Sequence, residues 1–266
     1  MLTAAMKNAA RFNGFSEVYD ENRPRMPKLV TEIIGQYLPK TPDTVVDLGC
    51  GTGLSTAAWK GRCREAIGVD PNGEMLQKAR EKEESGISFR QGYAHETGLS
   101  DGIADVVICS QSFHWMEPES TLREINRLLK PGGVFATVDC DWPPVARWEA
   151  ERAFDGLRAK CNRITAAHKE LQESFFQFPK ERHLQNIRES GYFRYAREVL
   201  FSSEENCDAK RFIGLAMSQG GLQTVLKTVP EEIETELSAF IRTAEEIFGG
   251  ETFPIHFSYR MRIGIK

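Results

Sequence analysis

Nowhere in this 266-residue chain does an apolar run reach the ~18 residues that a bilayer-spanning helix needs, so a helical membrane protein is not expected. Close-spaced cysteines are missing too. Cys50, Cys63, Cys109, Cys140, Cys161 and Cys207 include no C-x-x-C pair, which argues against a zinc or redox site and for free buried thiols in a reducing compartment. Positive charge is not in excess, because 34 Lys and Arg stand against 38 Asp and Glu, and the net −4 offers no global field for nucleic acid or an anionic membrane. The opening MLTAAMKNAARFNGF breaks its apolar positions with Lys7, Asn8 and Arg11 and so lacks the apolar centre of a secretory leader. Repeats and low-complexity linkers are absent as well. The expectation is a soluble cytoplasmic protein, monomer or homodimer, whose partner is a small molecule rather than a nucleic acid or a membrane. What is present, 41% hydrophobic and 27% charged residues, suits a packed core in one α/β domain or in one domain with an insertion.

From Thr44 to Cys140 the β-branched runs TVVDL, EAIGVD, ISFRQG, ADVVICS and GVFATVDC alternate with helical stretches: STAAWKGR, Glu74 to Glu84, and Pro118 to Lys130. Ahead of them Pro27 opens a helix in which Val30, Ile33, Ile34, Tyr37 and Leu38 keep helical spacing until Pro39. Such alternation marks a parallel sheet covered on both faces, and ligands of such sheets bind beyond the carboxyl ends of the strands. The rhythm breaks at Trp142-Pro143-Pro144. Phe154, Leu157, Cys161, Ile164, His168 and Leu171 then form one helical stripe, followed by SFFQF and a short helix around Leu184 and Ile187. Strand character returns at REVLFSS, and helical stretches near Arg211 to Met217 and Pro230 to Phe248 lead to the end. There Phe253, Ile255, Phe257, Tyr259, Met261 and Ile263 alternate with polar or small residues, which predicts an antiparallel strand at a sheet edge. Residues 143–195 read as an inserted helical lid.

The stretch Val45-Val46-Asp47-Leu48-Gly49-Cys50-Gly51-Thr52-Gly53 runs from a strand directly into a helix. Glycines there let the backbone approach a ligand, and the helix that follows presents unpaired N–H groups. The dinucleotide fingerprint G-x-G-x-x-G fails at Leu54, which weakens a nicotinamide reading. Asp70 ends the second strand 17 residues after Gly53, near the offset at which an acid meets ribose hydroxyls. Asp47, inside an otherwise apolar strand, either orders the loop or meets a cationic group of the ligand.

VVDLGCGTG, GVDPNGEML, DVVICSQSFHWM and LKPGG together resemble the class I S-adenosylmethionine-dependent methyltransferases over roughly residues 40–142. FSEVYDENRPRMP and SFHWM are similar to the subgroup that contains trans-aconitate methyltransferases and related small-molecule enzymes. The resemblance implies a Rossmann-like, doubly wound seven-stranded sheet with an antiparallel last strand. It divides the chain into an arm and helix covering the cofactor (1–40), a cofactor-binding core (41–142), the lid (143–195) and the C-terminal part of the sheet with its helices (196–266). It sets Gly49, Cys50, Gly51 and Gly53 against S-adenosylmethionine, with S-adenosylhomocysteine as the product. Asp47 lies near the methionine end, Asp70 with Pro71 at the ribose, and Met75 on the adenine. Ala94 and His95 meet the adenine edge, although Tyr93 departs from the family's usual small or acidic residue. Gln111 lines the methionine side near the transferred methyl, and Tyr19 and Arg23 belong to a covering arm, where Arg23 is either a clamp on a carboxylate of cofactor or substrate through its planar fork or a surface arginine.

His114 and Trp115 follow the fourth strand at its ligand-binding end. His114 is the candidate base or acceptor contact, with backbone bonding and packing as its alternative, and Trp115 is a candidate acceptor contact. His168 reads as a core or lid histidine, and Phe175, Phe176 and Phe178 as lid core or pocket wall. Residues 143–200 hold eleven Lys and Arg against eight Asp and Glu, a basic balance that would favour an anionic acceptor. The expected reaction is direct displacement by a small-molecule nucleophile, a carboxylate among the candidates, with no metal. A nicotinamide-dependent oxidoreductase and a non-catalytic module that binds the cofactor are the alternatives.

Overall fold

The computed structural model describes residues 3–266. Its helices are α1 (Ala4–Ala10), α2 (Ser16–Asn22), α3 (Lys28–Gly35), α4 (Leu54–Ala57), α5 (Gly73–Arg80) and α6 (Pro118–Leu128), then α7 (Trp148–Ala167), α8 (Lys169–Gln172), α9 (His183–Glu189), α10 (Ala209–Met217), α11 (Gly220–Thr228) and α12 (Glu234–Phe248). The strands are β1 (Thr44–Leu48), β2 (Glu65–Asp70), β3 (Ile87–Gln91), β4 (Ala104–Ser110), β5 (Leu129–Cys140), β6 (Tyr195–Cys207) and β7 (Phe253–Ile265). They form one sheet in the order β3-β2-β1-β4-β5-β7-β6. Strands β1 to β5 pair in parallel, and β7 runs antiparallel to both β5 and β6. The doubly wound fold with an antiparallel last strand is therefore as expected. No helix among the described residues is long and apolar enough to cross a membrane.

All five residues of β1 are buried, because helices cover both faces of the sheet. On one face α6 and α9 bring Leu122, Ile125, Leu128 and Ile187 against Val46, Val107 and Phe135. The start of α6 is fixed by Pro118 and by the Glu117 carboxylate, which accepts from the N–H groups of Glu119 and Ser120. On the other face α3, α7 and α10 to α12 bury Val30, Ile34, Phe154, Leu215, Val225 and Phe240 against Val134, Ala136 and Ile255.

Three expectations change in detail, and one helix lies outside them. Strand β7 lies between β5 and β6 rather than at the edge, because its alternation covers only its first half. Further on Arg262 is buried against Asp139 and Glu198, and a Cβ on Gly264 would come within 2.8 Å of Phe193, so both faces are covered. The stripe from Phe154 to Leu171 breaks at His168, whose extended backbone ends α7 and turns its ring out to Glu232 at 2.7 Å; it is not a core histidine. STAAWKGR yields only the single turn α4 before a run of turns. Helix α11 was not legible because it opens on Gly220-Gly221, a pair that disfavours helix by itself; buried Leu222 and Val225 supply what propensity lacks.

Candidate active site

The glycine loop turns sharply after β1 and is laced to the end of β2, where Val69 O accepts from the N–H groups of Gly49 (2.7 Å) and Cys50 (3.2 Å). Gly49 and Gly53 have φ of +68° and +81°, and a Cβ on either would come within 2.6 Å of Ser112 or 2.7 Å of the Phe89 ring. Gly53 thus secures close packing of loop on sheet and does not itself line a cavity. Asp47, wholly buried, accepts from the hydroxyls of Ser55 and Thr56 at 2.6 Å, which ties the first turn of α4 to β1. Its other oxygen has no partner, and burial pushes its pKa up to about 6. Asp70 accepts from Gly51 N (2.9 Å) and Asn72 N (2.8 Å), and burial raises it also to about 6.

Over the carboxyl ends of β1, β2 and β4 lies a cavity of about 390 Å³, a size suited to a nucleoside-like ligand. Gly49, Gly51, Asp70 and Pro71 line it from the loop side, and Met75, Ala94 and His95 from the far end. Tyr19, Gln111 and Trp115 close it opposite. Its roof is the arm, through Ala4, Ala5, Asn8, Ala9 and Phe12. Asn8 is 4% exposed and buttons this roof down: its amide donates to Trp115 O and Phe176 O at 2.8 Å, and its oxygen accepts from Phe176 N. Asp70 retains free lone pairs beside this space, and Gly51 faces it with nothing within 4 Å of where a Cβ would stand. The residues fit an adenosyl ligand.

A second cavity of about 520 Å³ adjoins the first, and Phe12, Tyr19, Gln111 and Trp115 line both. Gln111 has φ +56°, a left-handed conformation at the partition, and its N–H donates to Val138 O at 2.8 Å. Arg23 and His114 face this second space and not the first. Arg23 is held away from the first cavity by stacking of its guanidinium on Tyr19 (5.0 Å) and Trp142 (5.2 Å). Cys50, with Arg23, borders a smaller recess behind the loop, and burial holds its thiol well above the ordinary range.

His114 is 4% exposed, and its Nδ1 is turned to Asp139 at 3.5 Å, too far and too poorly aimed for a hydrogen bond. Burial lowers its pKa to about 4, so the ring is neutral at neutral pH. Asp139, at the end of β5, is the hub beneath this cavity. Arg262 Nη1 reaches it at 2.7 Å, Lys180 Nζ at 3.0 Å and His183 Nδ1 at 3.2 Å. Despite burial, the His114 and His183 rings beside it and the Lys180 ammonium hold its carboxyl well below the usual range.

Sequence reasoning missed Asn8, Arg11, Phe12 and Asp139. Asp139 carries the signal that marked Asp47, an acid inside an apolar strand. The other three stand on an arm without periodicity strong enough to place it. Of the eleven basic residues between 143 and 200, only Arg158 and Lys180 line the second cavity.

Fold and site thus define a Rossmann-like protein with a nucleoside-sized pocket at the carboxyl ends of its strands. Residues 46–137 match the family described as "Methyltransferase domain". An uncharacterized methyltransferase of Mycobacterium bovis is 36% identical over 115 residues, 43% of this chain and 46% of its own length. One of Schizosaccharomyces pombe is 34% identical over 122 residues, 45% of this chain and 48% of its own. The chain spans about half the length of the curated relatives it matches. In fold it is similar to a solved structure assigned to a type II methyltransferase from Anaeromyxobacter dehalogenans, with TM-score 0.67 at 20% identity over 91% of this chain and 97% of the other. Residues 46–137 thus carry a methyltransferase domain of the S-adenosylmethionine-dependent kind, and S-adenosylmethionine is the cofactor of that class.

Proposed function

We propose that this protein transfers a methyl group from S-adenosylmethionine to a small-molecule acceptor, with a carboxylate oxygen as the acceptor atom. The observation that carries the reading is the shared wall. A nucleoside-sized cavity beside Asp70 and a second cavity meet at Phe12, Tyr19, Gln111 and Trp115, so two ligands would face each other across one partition.

In this reading Asp70 accepts from the ribose hydroxyls, and Pro71, Met75, Ala94 and His95 enclose the adenine. Gly49 and Gly51 leave room for the methionine end, and Asp47 braces the loop from below. Gln111 and Tyr19 border the reacting atoms, and Trp115 with His114 faces the acceptor. When bound, the cofactor supplies a methyl group on a sulfonium already activated for displacement. What remains for the chain is to align the acceptor and exclude water, which the roof of α1 and the Phe176 segment provides. A carboxylate needs no base, which suits a neutral His114 that offers polarity without proton transfer.

Calorimetry with S-adenosylmethionine and S-adenosylhomocysteine, followed by a labelled-methyl screen of small carboxylic acids, phenols, amines and thiols, tests the reading. Binding of both molecules and label in a carboxylic ester are expected. Absence of binding overturns it, as does binding of NAD in their place, and binding without label in any acceptor leaves a non-catalytic module.

A further inference from the structure

We infer that Arg11 and Arg23 form an anion-anchoring site in the second cavity, which takes an oxyanion group of the acceptor other than the one methylated; this rests on the methyl-transfer reading above. Most of the charged groups that face this space are already paired. Lys180 is committed to Asp139 at 3.0 Å, and Arg158 to Asp155 at 2.8 Å and to Trp142 O. Asp141, the carboxylate on the wall, is paired with Arg260 at 3.1 Å. Arg11 and Arg23 are different. No carboxylate lies within 4.0 Å of either guanidinium among the described residues, although each has a buried N–H without a partner, Nη1 of Arg11 and Nε of Arg23.

Both guanidiniums are built in place by their flat faces. Arg11 lies over Phe175 at 3.8 Å and Trp115 at 4.9 Å, with its Nε donating to Thr224 Oγ1 at 3.2 Å. It rests against Gly220, where a Cβ would come within 3.5 Å of it. Arg23 lies over Tyr19 and Trp142. Stacking occupies the faces and leaves the N–H edges for ligands, the geometry in which arginine binds planar oxyanions. The two cations are close enough to repel, which together with burial lowers Arg11 to about 10. Both residues are half-buried, each with one N–H shut off from water; a partly desolvated cation without a counter-charge is costly, two neighbouring ones more so, and an anion between them removes the cost.

An oxygen held by two guanidiniums is a poor nucleophile, so the group they hold is an anchor and the methyl goes elsewhere on the acceptor. A second consequence follows from the chain. Arg11 ends α1 and Arg23 follows α2, on the same arm that roofs the cofactor cavity. An anion bound to both therefore holds the arm down over the cofactor.

The test uses the full chain saturated with S-adenosylhomocysteine and titrated with succinate, glutarate, inorganic phosphate and the diamides of the two acids. Binding of a dicarboxylate or of phosphate, with no binding of the diamides, is expected, and comparing the anions tells a carboxylate anchor from a phosphate one. Arg11→Met and Arg23→Met, which keep the stacked stem, should each weaken anion binding at least tenfold and leave S-adenosylhomocysteine affinity without anion unchanged. Arg11→Lys should restore part of it. In the wild type the anion should slow S-adenosylhomocysteine release, and in the Met variants it should not. An anion that binds the Met variants as well as the wild type overturns the site, as does a cofactor-loaded protein that ignores every anion. Failure to bind S-adenosylhomocysteine at all would instead strike the methyl-transfer reading.

Discussion

Asp70 and Asp139 both end strands beneath a cavity, both are buried, and their carboxyl groups respond in opposite directions. Asp70 has only neutral backbone donors and is pushed up to about 6; Asp47, braced by two hydroxyls, behaves the same way. Asp139 has the His114 and His183 rings and the Lys180 ammonium beside it, which hold it well below the ordinary range, and it pairs with Arg262 as well. On the donor side negative charge is left without a cation, and on the acceptor side Arg11 and Arg23 are left without an anion. The unbound protein is thus charged in two halves, and in the proposed reaction the missing counter-charges would be those of a cationic methyl donor and an anionic acceptor.

The contrast breaks most visibly at Asp139. Asp139→Ala takes one of its two carboxylates from buried Arg262, which keeps only Glu198, and the carboxylate of half-buried Lys180, and a loss of about 3 kcal/mol in stability is expected from chemical denaturation at neutral pH. Because the folded pKa is depressed, this contribution is present above the unfolded carboxyl pKa and is lost as pH falls below it. A variant as stable as the wild type would show that the hub is dispensable.

Asp47 has the opposite sign. Its folded pKa is raised, so it favours the folded state below an unfolded value near 4, and this contribution is lost as pH rises through about 6. Comparing wild type with Asp47→Asn, the stability difference should shift by up to ~3 kcal/mol toward the wild type between pH 7 and pH 4. A pH-independent difference would mean that Asp47 keeps its ordinary carboxyl behaviour.

Asp70→Ala should weaken binding of S-adenosylhomocysteine by ~1.5–3 kcal/mol, the usual worth of hydrogen bonds to a charged group. Calorimetry that finds unchanged affinity would remove Asp70 from the donor site.

The same division explains what was legible in the sequence. The donor half is contiguous: Asp47 to Gly53 and Asp70 to Met75 sit at strand ends whose β-branched runs announce them, and Gly49, Cys50, Gly51, Asp70, Pro71 and Met75 border a cavity, whereas Asp47 and Gly53 do not. The acceptor half is assembled from Arg11, Arg23, His114, Asp139 and Lys180, on five separate segments, and no spacing along the chain relates them. The basic count over 143–200 could not single out cavity residues, since only Arg158 and Lys180 of that set line the second cavity and a net charge does not tell a paired lysine from an unpaired arginine. The alternation of β7 gave its direction, whereas its inner place in the sheet depends on the burial of Arg262 by partners 64 and 123 residues away.

His114→Ala separates a base from a neutral contact. With its pKa at about 4, His114 is unprotonated from pH 6 to 9, so turnover should show no limb from this ring in that range. The variant should lose only a few-fold in kcat, against the ~10²–10⁴-fold that general bases supply. A loss in that upper range would make the acceptor a hydroxyl or an amine.

Arg158 carries the smallest expected effect and sharpens the comparison from the lid side. It borders the acceptor cavity like Arg11, yet it is half-exposed, paired with Asp155 and donating to Trp142 O. A cation already paired and hydrated has little left to offer a ligand, and exposed pairs of this kind contribute about 0.2–1 kcal/mol. Arg158→Gln should therefore change kcat/KM for a carboxylate acceptor by less than about threefold, whereas Arg11→Met removes an unpaired charge from the same wall. If Arg158→Gln instead costs as much as Arg11→Met, the acceptor responds to the summed charge of the lid, and the division between paired and unpaired cations loses its meaning.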